Sequence, residues 1–240
     1  MATWIAHLRL ADNLLNYGFE LDRQSFLLGS LAPDANLKNE DELGYMAKKT
    51  SHFRDDDNGH IQPEDFYNTY IHNKELSSES YAFLLGYYAH LLADVESIGN
   101  LWRPFKHLYP ELGERIENDP DFAYQFKRLE WFGHDFLYLH QYPDYSSFEL
   151  VKTIDAIPQY LEFLPSELLM SWLRDEVVGT YADDATMLEV LDHDFPYSKP
   201  LAMQAWLDCT TGTLIELFKG KTVPCSMPRP LWGAYIQPYA

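Results

Sequence analysis

The chain reads as one all-helical domain, and three observations lead there. Apolar residues recur at intervals of three and four along most of the sequence, bracketed by residues that cap helices. The alternating apolar and polar runs that make strands are nearly absent. With 240 residues, 46% of them hydrophobic and 15% aromatic, the chain can bury one large core, which excludes intrinsic disorder and a disulfide scaffold. No internal repeat or linker divides it, so a single domain is expected over residues 1–240.

Taken in order, Thr3 is placed to cap a first helix. Its apolar stripe is Trp4, Ile5, Leu8, Ala11, Leu14 and Leu15, and Gly18 stops it. Asp22 caps a second helix, broken at Ala32-Pro33-Asp34 because the residue before a proline avoids the helical region. Residues 35–62 are polar and expected to be irregular, with an acidic run at Asp55-Asp56-Asp57; a loop of that length is functional or disordered. Pro63 opens a short helix through Tyr70.

The strongest helix follows, from the Ser77 cap to Ile98. Tyr81, Phe83, Leu84, Leu85, Tyr87, Tyr88, Leu91 and Leu92 make it apolar nearly all round, the mark of a buried helix. Asp119-Pro120 opens another, reaching about His140. Further helices are expected over 146–156, 165–180, 183–191 and 198–219, the last stopped by Gly220. The tail from about 221 to 240 carries Pro224, Pro228, Pro230 and Pro238 and should be extended.

Eighteen basic residues against 37 acidic ones leave a net charge of −19. Such a surface repels phosphate backbones and anionic membranes, so no nucleic-acid partner is expected. Any phosphate chemistry needs a local positive charge, and a bound metal ion is the obvious supplier. No apolar run spans a bilayer, and His7, Arg9 and Asp12 interrupt the N-terminal pattern that a secretory signal would need. Cys209 and Cys225 frame nothing and read as free thiols in a reducing cytoplasm.

Against this background a few polar residues stand out. His90 and Asp94, four apart, share one face of the buried helix. An ionised carboxylate cannot be buried alone, so Asp94 needs a cation, a donor network or a raised pKa. The pair is either half of a divalent metal site or a hydrogen-bonded core pair. Of three His-x-x-x-Asp pairs, the other two, His52/Asp56 and His140/Asp144, lie in polar sequence. His7 lies close to the apolar stripe of the first helix and is a satisfied core residue or a ligand. Asp34 either projects into a pocket or serves as a turn residue. His52 is either solvated in its loop or part of the same site.

The ordered set of stretches carries more than any one residue. Trp4-Ile5-Ala6-His7 is followed by Gly29-Ser30-Leu31-Ala32-Pro33-Asp34, then Ser51-His52-Phe53. Last comes the run Phe83-Leu84-Leu85-Gly86-Tyr87-Tyr88-Ala89-His90-Leu91-Leu92-Ala93-Asp94. This pattern, over about residues 3–140, resembles the zinc-dependent phospholipase C family, whose fold is shared with single-strand-specific zinc nucleases. It looks closest to a cytoplasmic bacterial branch.

The resemblance implies a mostly helical bundle holding zinc between its helices. Asp34, His52, His90 and Asp94 match the protein ligands of one site, a nitrogen and oxygen set that Zn²⁺ favours and that Mn²⁺ or Fe²⁺ would accept. His7 matches the histidine of a neighbouring metal that shares Asp94. In secreted relatives an N-terminal tryptophan chelates that metal; here the tryptophan is the internal Trp4, which cannot do so unless residues 1–3 are removed. The remaining family site departs further. Ile98-Gly99-Asn100 lacks the family's histidine, and Trp131-x-x-x-Asp135 keeps only the carboxylate. His134 is adjacent to Asp135 but points about 100° away on a helix. One well-formed zinc site is therefore expected, a second only so far as His7 and Asp135 complete it, with His134, Tyr87 and Trp4 as candidate lining residues.

By the same resemblance, Asp34 also orients or deprotonates the attacking water. The expected activity is hydrolysis of a small phosphate ester or phospholipid head group by metal-activated water. No Gly-rich phosphate loop or nucleophile elbow competes with it. Phe53, Phe66, Tyr67, Tyr87, Trp102 and Trp131 are core residues or pocket walls. Two alternatives stay open. One is an HD-type phosphohydrolase centred on His134-Asp135 with Asp183 or Asp184, which requires Asp34 and His7 to lie away from the metal. The other is a non-enzymatic helical protein with a structural metal site.

Overall fold

The computed structural model describes residues 2–35, 48–55 and 59–226. Among these residues the regular backbone is helical throughout, with three isolated bridges and no strand. Helix α1 spans Trp4–Tyr17 and ends at Gly18, whose φ of 122° only glycine adopts freely. Thr3 occupies its N-cap position, but its hydroxyl accepts from no helix N–H and instead donates to Asp135 Oδ1 at 2.6 Å. Asp22 caps α2, Arg23–Leu31, by accepting from Ser25 N. At Ala32–Asp34 the chain tightens into a single 3₁₀ turn. Two short helices follow, α3 at Lys48–Ser51 and α4 at Pro63–Tyr70. The long α5, Ser78–Ser97, opens on the Ser77 hydroxyl, which accepts from Ser80 N.

Beyond α5 the sequence reading is coarser than the fold. Two short helices, α6 at Arg103–Leu108 and α7 at Pro110–Asn118, were not expected. The helix expected over 119–140 is two, α8 at Pro120–Phe126 and α9 at Phe132–Gln141, joined by a wide π turn at Lys127–Trp131. The segment expected over 165–180 divides likewise into α11, Ser166–Trp172, a π turn at Leu173–Val178, and α12, Gly179–Tyr181. Between them α10, Ser146–Lys152, stops short of 156. The remaining helices are α13 at Asp184–Leu191 and α14 at Pro200–Gly220. Cys225 bridges to Phe19, and Ser226 N donates to Gly18 O, so the start of the tail lies against the end of α1. The proline-rich stretch 227–240 and Asp56-Asp57 lie outside the described residues.

Two glycines set the centre of the bundle. A Cβ at Gly29 would fall 1.9 Å from Phe83 O, and one at Gly86 would fall 2.2 Å from Phe26 O. The backbones of α2 and α5 therefore touch, and this contact lays the Ser30 carbonyl against His90. Phe26, Phe66, Phe83, Tyr87, Tyr88 and Phe218 fill the surrounding core. A second polar network is buried beside it: Asp12 accepts from Arg23, Tyr145 and Ser147. They come from two stretches far apart in sequence, and no periodicity announces their meeting. No helix among the described residues is long and apolar enough to cross a membrane.

Candidate metal centre

Five side chains from four elements converge at the middle of α5. α1 brings His7, the 3₁₀ turn Asp34, the end of α3 His52, and α5 His90 and Asp94. His7, His52, His90 and Asp94 are each at most 2% exposed, while the Asp34 side chain is 12% exposed. His52 Nε2 lies 3.3 Å from Asp34 Oδ1 and 3.5 Å from Asp94 Oδ2. His90 Nε2 is 3.8 Å from Asp94 Oδ2, and His7 Nε2 is 3.6 Å from Asp94 Oδ1. The His7 and His90 rings stack with centroids 3.7 Å apart.

These separations exceed the usual hydrogen-bond range of about 2.7–3.2 Å. They match instead the spacing of about 3.3 Å between donors on a tetrahedral zinc with bonds of about 2.0 Å. The donors also lack partners. His7 Nε2, His52 Nε2, His90 Nε2 and Asp94 Oδ2 are buried and make no hydrogen bond with any described residue. Leaving one such group unsatisfied costs about 1–3 kcal/mol, and four in one place call for a shared partner.

The imidazoles are turned to offer lone pairs inward. His90 Nδ1–H donates to the Ser30 carbonyl at 2.8 Å, so its Nε2 is the bare nitrogen. Ser51 Oγ donates to Lys48 O at 3.3 Å and accepts from His52 Nδ1–H at 2.9 Å, fixing the same tautomer in His52. Burial, reinforced by His7, pushes His90 down to about 3, which keeps it neutral and able to ligate. Burial alone would raise both carboxyls. For Asp34 the His52 contact, with His90 and Lys48, outweighs it, and for Asp94 His7 and His90 do, so both are held below the ordinary carboxylate range. Among the described residues the ion-pair partners of Asp94 are histidines, not an arginine. Two carboxylates among imidazole nitrogens form a set that a divalent cation would balance.

Two triplets of donors lie within 4.8 Å of one another, Asp34/His52/His90 and His7/His90/Asp94. Asp135 belongs to neither. Its oxygens accept from Thr3 Oγ1, Ile5 N and Tyr181 OH, so it anchors the start of α1 instead of facing the cluster. His134 also turns away, pairing with Ser198 Oγ at 2.9 Å and packing on Phe195. Tyr87 is fully buried, stacks on Phe66 and donates to the Ser51 carbonyl; it holds the His52 segment from behind and does not line the pocket above the cluster. The HD-type arrangement is not assembled: His134 and Asp135 diverge, and Asp183 caps α13 by accepting from Ala185 N. Asp34 and His7, which that reading places elsewhere, sit in the cluster.

Above the cluster opens a pocket of about 480 Å³, with Asp34 as the one member of the five that reaches it. Trp4 lines it as expected, its indole N–H donating to Asp34 Oδ2 at 3.2 Å. Trp131 and Trp172 form further walls, and Lys48 and Lys127 bring positive charge. Lys48 Nζ is 3.9 Å from Asp34 Oδ1. The lysines had no signal in the sequence, since each reaches the pocket only through tertiary packing. Phe53, Phe66 and Tyr67 pack in or against the core.

The comparisons agree with this geometry where they speak. No curated protein and no solved structure matches the chain. A family model does match, over residues 4–96, the stretch that runs from Trp4 to just past Asp94 and supplies all five converging side chains. Over that stretch the chain is similar to the zinc dependent phospholipase C family.

Proposed function

We propose that the protein is a metal-dependent hydrolase of small phosphate esters, phospholipid head groups included. The observation that carries this reading is the set of four buried, unpartnered donor atoms directly beneath a pocket whose floor is a carboxylate. Asp34, His52, His90 and Asp94 would hold one cation, with zinc favoured by the donor set. His7 and the other oxygen of Asp94 begin a second site, which the described residues leave short of ligands. A divalent cation there supplies Lewis acidity and makes hydroxide available near neutral pH.

The chain's own groups do the rest. Asp34 faces the pocket in a fixed orientation because Trp4 holds its Oδ2. A carboxylate kept so far below neutrality is a weak base, so Asp34 contributes chiefly by orienting the attacking water. Lys48 and Lys127 offset the acidic surface locally and draw a phosphoryl group to the pocket. Trp4, Trp131 and Trp172 exclude bulk water, and the pocket volume falls in the range of about 300–1,000 Å³ typical of small-molecule sites. A cytoplasmic setting fits the exposed free thiols of Cys209 and Cys225.

The test is hydrolysis of bis(p-nitrophenyl) phosphate and p-nitrophenyl phosphate by zinc-loaded protein. Turnover of one ester should vanish with chelator and return with zinc, and Asp34→Asn should lower kcat about 10²- to 10⁴-fold. Zinc-loaded protein that cleaves neither ester would leave a structural metal site as the better account.

A further inference from the structure

A groove of about 1180 Å³ adjoins the pocket, and the two share Lys127 and Trp131. Arg54, Arg103, Lys106 and Lys127 line it, in a chain with only 18 basic residues against 37 acidic ones. The two acids in its wall are already engaged. Glu117 binds the Lys106 ammonium at 2.7 Å, and Glu96 accepts from the Asn100 amide at 2.7 Å. Arg103 is exposed and makes no ion pair with a described residue. Burial and the neighbouring Lys48 lower the Lys127 pKa, the mark of a cation that lacks its anion. Lys127 begins one wide π turn, and Arg103 opens α6 directly after another at Ile98–Trp102.

We infer that this groove is a second anion subsite, and that the substrate is a small bisphosphate. One phosphoryl group sits above Asp34 beside Lys48, the second is held by Arg103, and Lys127 stands between them. The inference rests on the phosphate-ester reading of the pocket and narrows its substrate class. A guanidinium without a partner offers an exposed phosphate a bidentate contact that a hydroxyl or choline group cannot use.

Calorimetric titration of the protein as purified, with alkyl monophosphates and α,ω-alkanediol bisphosphates of increasing chain length, tests it. At the spacer that fits, the bisphosphate should bind at least about tenfold more tightly than the monophosphate, by the effective concentration of a tethered second group. Arg103→Glu should bring that ratio close to one, and Arg103→Ala should fall between. A ratio near one at every length, or one that survives Arg103→Glu, overturns the subsite. Affinity for oligothymidylate that climbs with each added nucleotide also overturns it, since the groove would then track a polymer. Release of inorganic phosphate is assayed separately from binding, so the two readings fail separately. A protein that prefers bisphosphates but hydrolyses nothing keeps the subsite and loses the hydrolase. One that hydrolyses esters with a ratio of one does the reverse.

Discussion

Asp135 shows how a single carboxyl can be misread from its neighbours in sequence. The resemblance reads it as a metal ligand, yet three donors from Thr3, Ile5 and Tyr181 occupy it. Burial pushes it up to about 6 against the partial relief of the Thr3 and Tyr181 contacts. A carboxyl raised in the fold above its unfolded value of about 3.9 stabilises the fold at low pH. That contribution is lost as pH climbs from about 4 through about 6, to a limit of about 3 kcal/mol for this group. Urea midpoints of wild type and Asp135→Asn across that interval should therefore diverge, wild type losing ground as pH rises; parallel curves would mean that Asp135 stays ionised throughout. Trp4 makes a different residue-scale prediction. Trp4→Phe removes the donor on Asp34 Oδ2 while keeping an aromatic wall, so kcat should fall several-fold with the bound metal retained. Lost metal would assign the indole to the ligand set's support instead of the water's.

At the scale of elements, the contact of α2 with α5 is what turns a sequence pattern into a site. Gly86→Ala would drive a Cβ to 2.2 Å from Phe26 O and 2.9 Å from Ser30 N, backbone atoms that move only with their helix. The expected cost is about 3 kcal/mol, the upper end of overpacking, read as a lower thermal midpoint. Zinc affinity should fall as well, because the Ser30 carbonyl that fixes His90 travels with α2. An unchanged zinc affinity in a destabilised variant would detach the tautomer from the helix contact. The helix starts were legible because Asp22, Ser77 and Asp119 accept from the backbone N–H groups their sequence positions announce. The π turns were not, since one extra residue in a turn leaves the apolar spacing almost unaltered. Neither were α6 and α7, which carry no long apolar stripe and lie in a polar stretch.

For the molecule as a whole, the surface and the site pull in opposite directions. A net charge of −19 argues against anionic ligands, yet lysines and arginines gather at the pocket above Asp34 and its adjoining groove. Composition could not reveal that gathering, because Lys48, Arg103 and Lys127 lie on separate elements. His7, Asp34, His52, His90 and Asp94 were legible as a set because their ordered motif spans the stretch that the family model matches. The fold brings them from four elements to one point, and the cation they would share should also hold those elements together. Zinc at a hundredfold excess over its dissociation constant should stabilise the native state by about 2.7 kcal/mol, seen as a thermal midpoint that falls on chelation. The most direct measurement is the metal content, by elemental analysis, of protein purified without chelator, beside Asp94→Asn. That variant keeps the side chain's shape and its acceptor for Ala2 N but removes the carboxylate charge of the His7/His90/Asp94 triplet, which also lies 3.5 Å from His52 Nε2. The account predicts at least one equivalent of zinc or a related divalent metal in the wild type and almost none in the variant. Equal metal in both, or a folded wild type with none, would contradict it.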